Sequence, residues 1–275
     1  MKKIKIDVHT SSFSPGQKAY LHSIKMQKLL IIWCRFLIFA GFLTIWQLAA
    51  DFGWIDDFYF SSPIAIGTLF LHDITTMSLL NHIRITLIES SLSFLLIILC
   101  SLLVATLFWF YPVLGKMFEP FLIVLNSLPK SALAPLIIVW LGTGPRTIIL
   151  CGMSVGLFGC ILNLYQTFQQ TDPERLKLIE TLGGTRIQAF TKVVFPGNTP
   201  AFISVAKVNI GLALVGVIIG EFLAGRQGLG YLIIYGSQTF KLDLVILSIV
   251  ILCIIAMGLY WGLNILEKKI VEKMG

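Results

Sequence analysis

Thr181 to Pro196 reads TLGGTRIQAFTKVVFP, a basic, glycine-broken stretch between two hydrophobic runs. The 275-residue chain around it is 56% hydrophobic and 13% charged, with a mean hydropathy of +0.87. A soluble domain carries about 25% charged residues. A chain this poor in charge cannot clothe a globular surface, so composition points to an integral membrane protein.

The stretch belongs to a longer segment, about 168–200, that is too long and too regular for a plain connector. Asp172-Pro173 is a helix start, a capping oxygen followed by proline at the first helical position. Glu174 falls in the first turn, where the helix dipole favours it. Leu176, Ile179, Thr181 and Leu182 then form a mostly apolar stripe. Gly183-Gly184 breaks this helix. A second run follows with Ile187, Phe190, Val193 and Val194, and Pro196 is expected to stop it. Two short helices meeting at a glycine corner are predicted.

Outward from this segment lie apolar runs long enough to cross a bilayer, which takes about 20 residues. They fall near 29–50, 85–110, 147–167, 201–224 and 243–266. A sixth, near 119–142, contains Pro129, Lys130 and Pro135 and is expected to be a kinked helix packed inside the bundle. The fold class is therefore an all-α membrane protein with about six transmembrane helices. Residues 1–28 are expected to form a cytoplasmic segment, and 29–270 a single transmembrane domain. The first run is long for a signal-peptide core and lacks a good cleavage site, so it reads as an uncleaved anchor.

Six spans put both termini on one side. That side holds Lys2, Lys3, Lys5, Lys18, Lys25, Lys28, Lys116, Arg175, Lys177, Arg186, Lys192, Lys268, Lys269 and Lys273. The other holds Arg84, Arg146, Arg226 and Lys241, while Arg35, Lys130 and Lys207 fall in or at the edge of spans. Cytoplasmic loops carry the excess of Lys and Arg, so both termini and the 168–200 segment are expected to be cytoplasmic. This asymmetry accounts for the net charge of +7 without nucleic acid as a partner. On the outer side, residues 64–71 suggest a short amphipathic helix on the membrane, and 225–242 a loop whose glycines permit tight turns.

The chemistry of an enzyme is missing. There is no GxxxxGK[ST] to cradle ATP phosphates and no HExxH. Gly152-Met153-Ser154-Val155-Gly156 matches GxSxG, but within a span, where no strand–turn–helix elbow forms. No expected span holds a histidine to activate Ser154. Gly152 and Gly156 read as a small-xxx-small packing face. The five cysteines lie in apolar runs without metal-ligand spacing, so no metal site is expected. Among charged residues inside spans, the candidates for function are Glu89, Lys130, Lys207 and Glu221. Pairing or snorkelling suffices for most. Glu221, beside Gly220 and ahead of a glycine-rich loop, is also a candidate for a solute path.

The 168–200 segment resembles the EAA loop of permease subunits of binding-protein-dependent ABC importers. That pattern is Glu-Ala-Ala, three residues, Gly, nine residues, Ile-x-Leu-Pro. With the glycine at Gly183, the proline falls on Pro196, and Val193 and Phe195 take the Ile and Leu places. Lys177, Leu178 and Ile179 take the Glu-Ala-Ala places, so a lysine stands where the family has an acid. Leu128-Pro129-Lys130-Ser131-Ala132-Leu133-Ala134-Pro135-Leu136 through Gly144 is similar to a signature of the nitrate/sulfonate/taurine branch. Gly228-Leu229-Gly230-Tyr231-Leu232-Ile233 looks like its outer Gly-Leu-Gly loop. Where the family often has a basic residue and a glycine early in the second span, this chain has Glu89 and Ser93.

The resemblance implies a non-catalytic, multi-pass subunit of a bacterial cytoplasmic membrane. It implies two ATPase subunits that hold ATP and Mg while this chain carries no cofactor, a solute-binding protein outside, and a second permease copy in a homodimer, all amid membrane lipid. The ATPase-coupling residues would be Lys177, Leu178, Ile179, Glu180, Leu182, Gly183 and Pro196. Asn126, Ser131, Ser154, Asn209 and Glu221 are candidates for the path of a small solute such as a sulfonate, nitrate or vitamin precursor. The alternative is a secondary transporter driven by an ion gradient, which needs acidic residues near the midplane and a repeated half-structure.

Overall fold

The computed structural model describes residues 15–75 and 78–274. Lys2, Lys3 and Lys5, and with them the first half of the expected 1–28 segment, lie outside the described residues. The chain divides into two units, 1–68 and 69–275.

In the first unit, α1 (Pro15–Asp51) contains the first apolar run. A short α2 (Asp57–Phe60) follows, and α3 (Pro63–Thr75) continues past the unit boundary. Pro63 opens α3, where its missing N–H costs nothing. The Ser62 hydroxyl accepts from the Ala65 N–H at 3.3 Å. Gln47, near the end of α1, accepts from the Ile64 N–H at 3.2 Å and donates to Asp51 at 2.9 Å. One amide thus ties the end of α1 to the start of α3, and the helix expected at 64–71 is present.

The second unit is built on α4 (Ser78–Phe110), α7 (Pro145–Gln169) and α11 (Thr199–Ala224), which pack on one another along their lengths. Glycines let them approach. A Cβ on Gly216 of α11 would stand 2.8 Å from the Gly152 Cα of α7. A Cβ on Gly220 would stand 3.0 Å from the Ile148 Cα. A Cβ on Gly156 would meet the Asn209 side chain at 2.7 Å. The small-residue face read from the sequence is this crossing. On the α4 side, Ser93 donates to the Ile149 carbonyl at 3.0 Å.

α5 (Pro112–Ser127) and α6 (Lys130–Leu141) replace the kinked sixth span. They meet at 95°, so the break is far sharper than a proline kink. Pro129 drives Leu128 into extended backbone, φ −62 and ψ 140, as the residue before a proline prefers. Lys130 then turns back over the freed end of α5. Its Nζ donates to the carbonyls of Leu125 and Asn126 at 2.7 Å each and of Leu128 at 3.1 Å. A cation at a helix C-terminus satisfies orphan carbonyls and opposes the dipole. That explains a lysine inside an apolar run.

The long α13 (Leu242–Met274) packs on α11 and on α12 (Leu229–Gln238). Lys207 of α11 reaches Glu267 of α13 at 2.5 Å and Asn264 at 3.1 Å, so this lysine is paired. Among the described residues, five helices are long and apolar enough to span a membrane, or six if α5 and α6 count as one broken span. Among the described residues there is no strand.

Two expectations need correction. α4 begins at Ser78 rather than near 85, which brings His82 and Arg84 into a spanning helix. The 225–242 segment is not a loop throughout, because α12 fills most of it after a turn at Gly228, φ +108.

Candidate functional site

Chemistry concentrates at the two ends of the α4–α7–α11 bundle. At one end the chain passes from α7 to α11 through α8 (Pro173–Thr181), α9 (Arg186–Ala189), a π-helical turn (Phe190–Val194) and α10 (Phe195–Gly197). Asp172 caps α8 by accepting from the Glu174 N–H at 2.9 Å, with Pro173 next to it. α8 ends in paired bonds, Gly183 N–H to the Glu180 carbonyl at 3.0 Å and Gly184 N–H to the Ile179 carbonyl at 2.8 Å. This cap needs a left-handed residue, and Gly183 supplies it at φ +75. Thr185 and Gln188 form a reciprocal capping box at the start of α9.

Contrary to the expectation from sequence, Pro196 does not stop the second helix. The backbone absorbs it with the π turn, in which the Phe195 N–H bonds to the Phe190 carbonyl. Helix resumes through Pro196.

This second half is anchored. Phe190 lies against Trp109, Phe110 and Phe168, with ring centroids 5.2, 5.4 and 5.5 Å away. Val194 is fully buried. A buried Phe side chain contributes about 1.5–3 kcal/mol. Arg186 donates to the Trp109 carbonyl at 3.1 Å and stacks over that ring. Asn198 donates to the Thr171 hydroxyl at 2.8 Å, stapling the two ends of the segment. The first half is the opposite. No residue of α8 is buried, and Leu178 and Leu182 are 59% and 74% exposed. Lys177 and Glu180 are exposed, Ile179 half-buried, and Pro196 exposed. A cavity of about 630 Å³ separates α8 from the bundle, lined by Phe108, Tyr165, Leu176, Glu180 and Arg186 among others. Leu176 packs against the bundle core, and the rest of α8 stands largely exposed on that anchored base.

At the other end, the turn after α11 folds back on Glu221. This carboxylate is 1% exposed. Its Oε1 accepts from the Thr86 hydroxyl at 2.7 Å and its Oε2 from the Gly230 N–H at 2.6 Å. The Thr86 oxygen accepts in turn from the Leu229 N–H at 2.8 Å, and His82 Nδ1 from the Gly228 N–H at 2.9 Å. The orphan N–H groups at the start of α12 are therefore met by side chains of α4 and α11. An acid at a helix N-terminus also suits the dipole. His82 is engaged here and not at Ser154, whose hydroxyl donates to the Cys151 carbonyl of its own helix at 2.8 Å.

Glu89 of α4 lies beside Glu221, carboxyl to carboxyl. It also lines a cavity of about 420 Å³ with Ile85, Thr143, Ile148, Arg226 and Gln227. The sequence flagged each acid but carried no signal that residues 132 positions apart would meet. The remaining path candidates are scattered. Asn126 and Ser131 are exposed at the α5–α6 corner, Ser154 is half-buried on α7, and Asn209 is buried against Gly156. Glu221 is not among the residues that line the cavity.

The family profile described as "Binding-protein-dependent transport system inner membrane component" matches residues 97–272. A probable ABC transporter permease protein of Haemophilus influenzae is 30% identical over 229 residues, 83% of this chain and 92% of its own length. The putative aliphatic sulfonates transport permease protein SsuC of Bacillus subtilis is 24% identical over 233 residues, 85% of this chain and 84% of its own. Among solved structures, a chain of the inward-facing MetNI methionine ABC transporter matches with a TM-score of 0.62 at 15% identity. That match covers 72% of this chain and 98% of the other, and concerns the fold alone.

Proposed function

The chain belongs to the binding-protein-dependent transport system inner membrane component family, the permeases of ABC importers, and from that premise we propose that its 168–200 segment is the handle by which a cytoplasmic ATPase drives it. The protein is a multi-pass component of the cytoplasmic membrane, and its relatives include a permease of the sulfonate type. An ATPase subunit and a solute-binding protein follow from that class. Two copies of this chain around a shared path, with ATP and Mg held by the ATPase, complete the assembly.

One observation carries the proposal, namely the contrast between the two halves of the segment. Leu178 on α8 and Leu182 at its C-terminal cap stand exposed, where an apolar groove on the ATPase would cover them. Phe190 and Val194 fix the other half in the bundle. Gly183 turns one into the other. Closure of an ATPase pair reaches the spans only through a stiff connection between docked helix and bundle, as rigid-body movement. Moving a two-state protein from 1:99 to 99:1 takes about 5.5 kcal/mol of differential binding, and a loose tether would dissipate it. Lys177 precedes Leu178, and Glu180 lies between the two leucines in the sequence. Because Lys177 replaces an acid, the ATPase surface facing it should carry the complementary charge. Pro196 sets the exit into α11. The solute is a small compound of sulfonate, nitrate or vitamin-precursor type.

Cysteines at positions 178 and 182 test this in intact cells. The proposal expects each to crosslink to an ATPase subunit, and cysteine at Val208, 61% exposed on α11, to give no such product. Equal crosslinking at all three would refute a specific handle.

A further inference from the structure

The helix α4 is engaged at both of its ends. Near α8, its last turn holds Trp109 and Phe110. The Arg186 guanidinium donates to the Trp109 carbonyl at 3.1 Å and lies 5.4 Å from the centre of that ring system. Phe190 packs on both aromatic side chains. Carbonyls in the last turn of a helix lack partners within it, so a cation there completes the helix. At the opposite end, His82 Nδ1 accepts from the Gly228 N–H at 2.9 Å, and the Thr86 oxygen from the Leu229 N–H at 2.8 Å. Thr86 and Trp109 stand 23 positions apart. That is about 35 Å along a helix, more than the bilayer core of about 30 Å.

Of α4, α7 and α11, only α4 lacks both proline and glycine, the residues at which helices most often kink. α7 and α11 run directly into the 168–200 segment, yet their joints to it are broken. Gln170 and Thr171 leave the helix after α7, and the π turn precedes α11. The turn at 228–230 also leans on α4. Two of its three N–H groups go to His82 and Thr86. The third goes to Glu221, whose other oxygen accepts from Thr86. Arg226 and Gln227, just ahead of this turn, line the cavity of about 420 Å³, so displacing the turn reshapes that cavity.

Resting on the reading of the 168–200 segment as an ATPase handle, we propose that α4 is a strut carrying the handle's displacement to the turn at 228–230, and that Arg186 is the positioning residue that fixes the strut to the handle. Coupling over such a distance needs a continuous packed path, and these contacts supply one. A push on α8 reaches Arg186 across the Gly183 corner. The guanidinium and Phe190 pass it to the last turn of α4. A straight helix then delivers it to His82 and Thr86 as rigid-body movement. The far turn thus answers the ATPase by a route other than the chain's own passage through α11.

The test is hydrogen–deuterium exchange on the permease with its co-purifying ATPase in lipid nanodiscs, with ADP or with a non-hydrolysable ATP analogue. The peptide covering residues 228–232 reports the turn, because it contains the amides held by His82, Thr86 and Glu221. Its exchange rate should differ between the two nucleotides by about twofold or more in the unaltered complex. In Arg186→Ala that difference should disappear, while the ATPase still protects α8 as it does in the unaltered chain. A merely structural loss would raise exchange with both nucleotides alike and leave the difference in place, which overturns the proposal. A turn indifferent to nucleotide in the unaltered complex overturns it too. If Arg186→Ala does not assemble, Arg186→Met replaces it under the same expectations, keeping an apolar stem against the ring while removing the charge and the donor. An α8 that gains no protection from the ATPase overturns the handle reading itself. A protected α8 beside an indifferent turn removes only the strut.

Discussion

Oε2 of Glu221 accepts the backbone N–H of Gly230 at 2.6 Å, nine residues ahead in the chain, with both groups buried. The bond is possible because Gly230 has no side chain. A Cβ there would stand 2.8 Å from that same oxygen and 3.0 Å from the Ile218 carbonyl. The Gly-Leu-Gly turn is thus shaped around one carboxylate, and Thr86 of α4 completes the clamp.

Gly230→Ala should therefore destabilise the protein, since the backbone carbonyl of Ile218 cannot swing aside. Glu221→Gln keeps one acceptor for two donors and should cost about 1–3 kcal/mol. Thermal unfolding in detergent measures both. The clamp is refuted if Gly230→Ala unfolds at the temperature of the unaltered protein.

Helix approach makes a sharper comparison within α11. Gly216 touches the α7 backbone, while a Cβ on Gly211 would meet nothing within 4 Å. Gly216→Ala should lose about 1–3 kcal/mol to overpacking, and Gly211→Ala should be neutral or slightly stabilising. Equal effects of the two, read as the yield of folded protein after heating, would contradict the packing described.

Lys207 and Glu267 form a largely buried pair, with side chains 14% and 29% exposed. Removing either partner leaves a charge unpaired, at a cost of several kcal/mol. Lys207→Met with Glu267→Met should be milder than the two single losses added together. A double-mutant cycle on thermal stability checks this; strict additivity would mean that the pair contributes nothing as a pair.

Gly183 separates coupling from folding. Its φ of +75 costs most residues about 1–2 kcal/mol, yet nothing lies within 4 Å of the site where a Cβ would sit. Gly183→Val should leave the protein folded and in the membrane while uptake falls relative to ATP hydrolysis. Gly183→Asn, which tolerates the left-handed region better, should fall less. Normal uptake by the valine variant at normal abundance would remove Gly183 from the coupling path.

Much of this was legible because membranes simplify the code. Apolar runs gave the helices, and the Asp172-Pro173 start and Gly183 corner gave α8, since caps and left-handed glycines act locally. Gly152 and Gly156 declared a packing face through spacing alone. Sequence misjudged how the backbone turns at its prolines, and what depends on partners far along the chain. The Pro129 break became a 95° corner because Lys130 could cap the freed carbonyls. Pro196 was absorbed by a π turn because Phe190 and Val194 were already anchored. The convergence of Glu89 with Glu221 follows from how α4 packs on α11, a register that no local pattern records.

The central claim is that ATP hydrolysis on a separate subunit powers solute movement through this chain. Uptake into proteoliposomes bearing the permease, its ATPase and its solute-binding protein tests it most directly, with ATP supplied to the ATPase side and no ion gradient. Uptake should stop when ATP is replaced by a non-hydrolysable analogue. Uptake that follows an imposed proton or sodium gradient, without ATP, would contradict it.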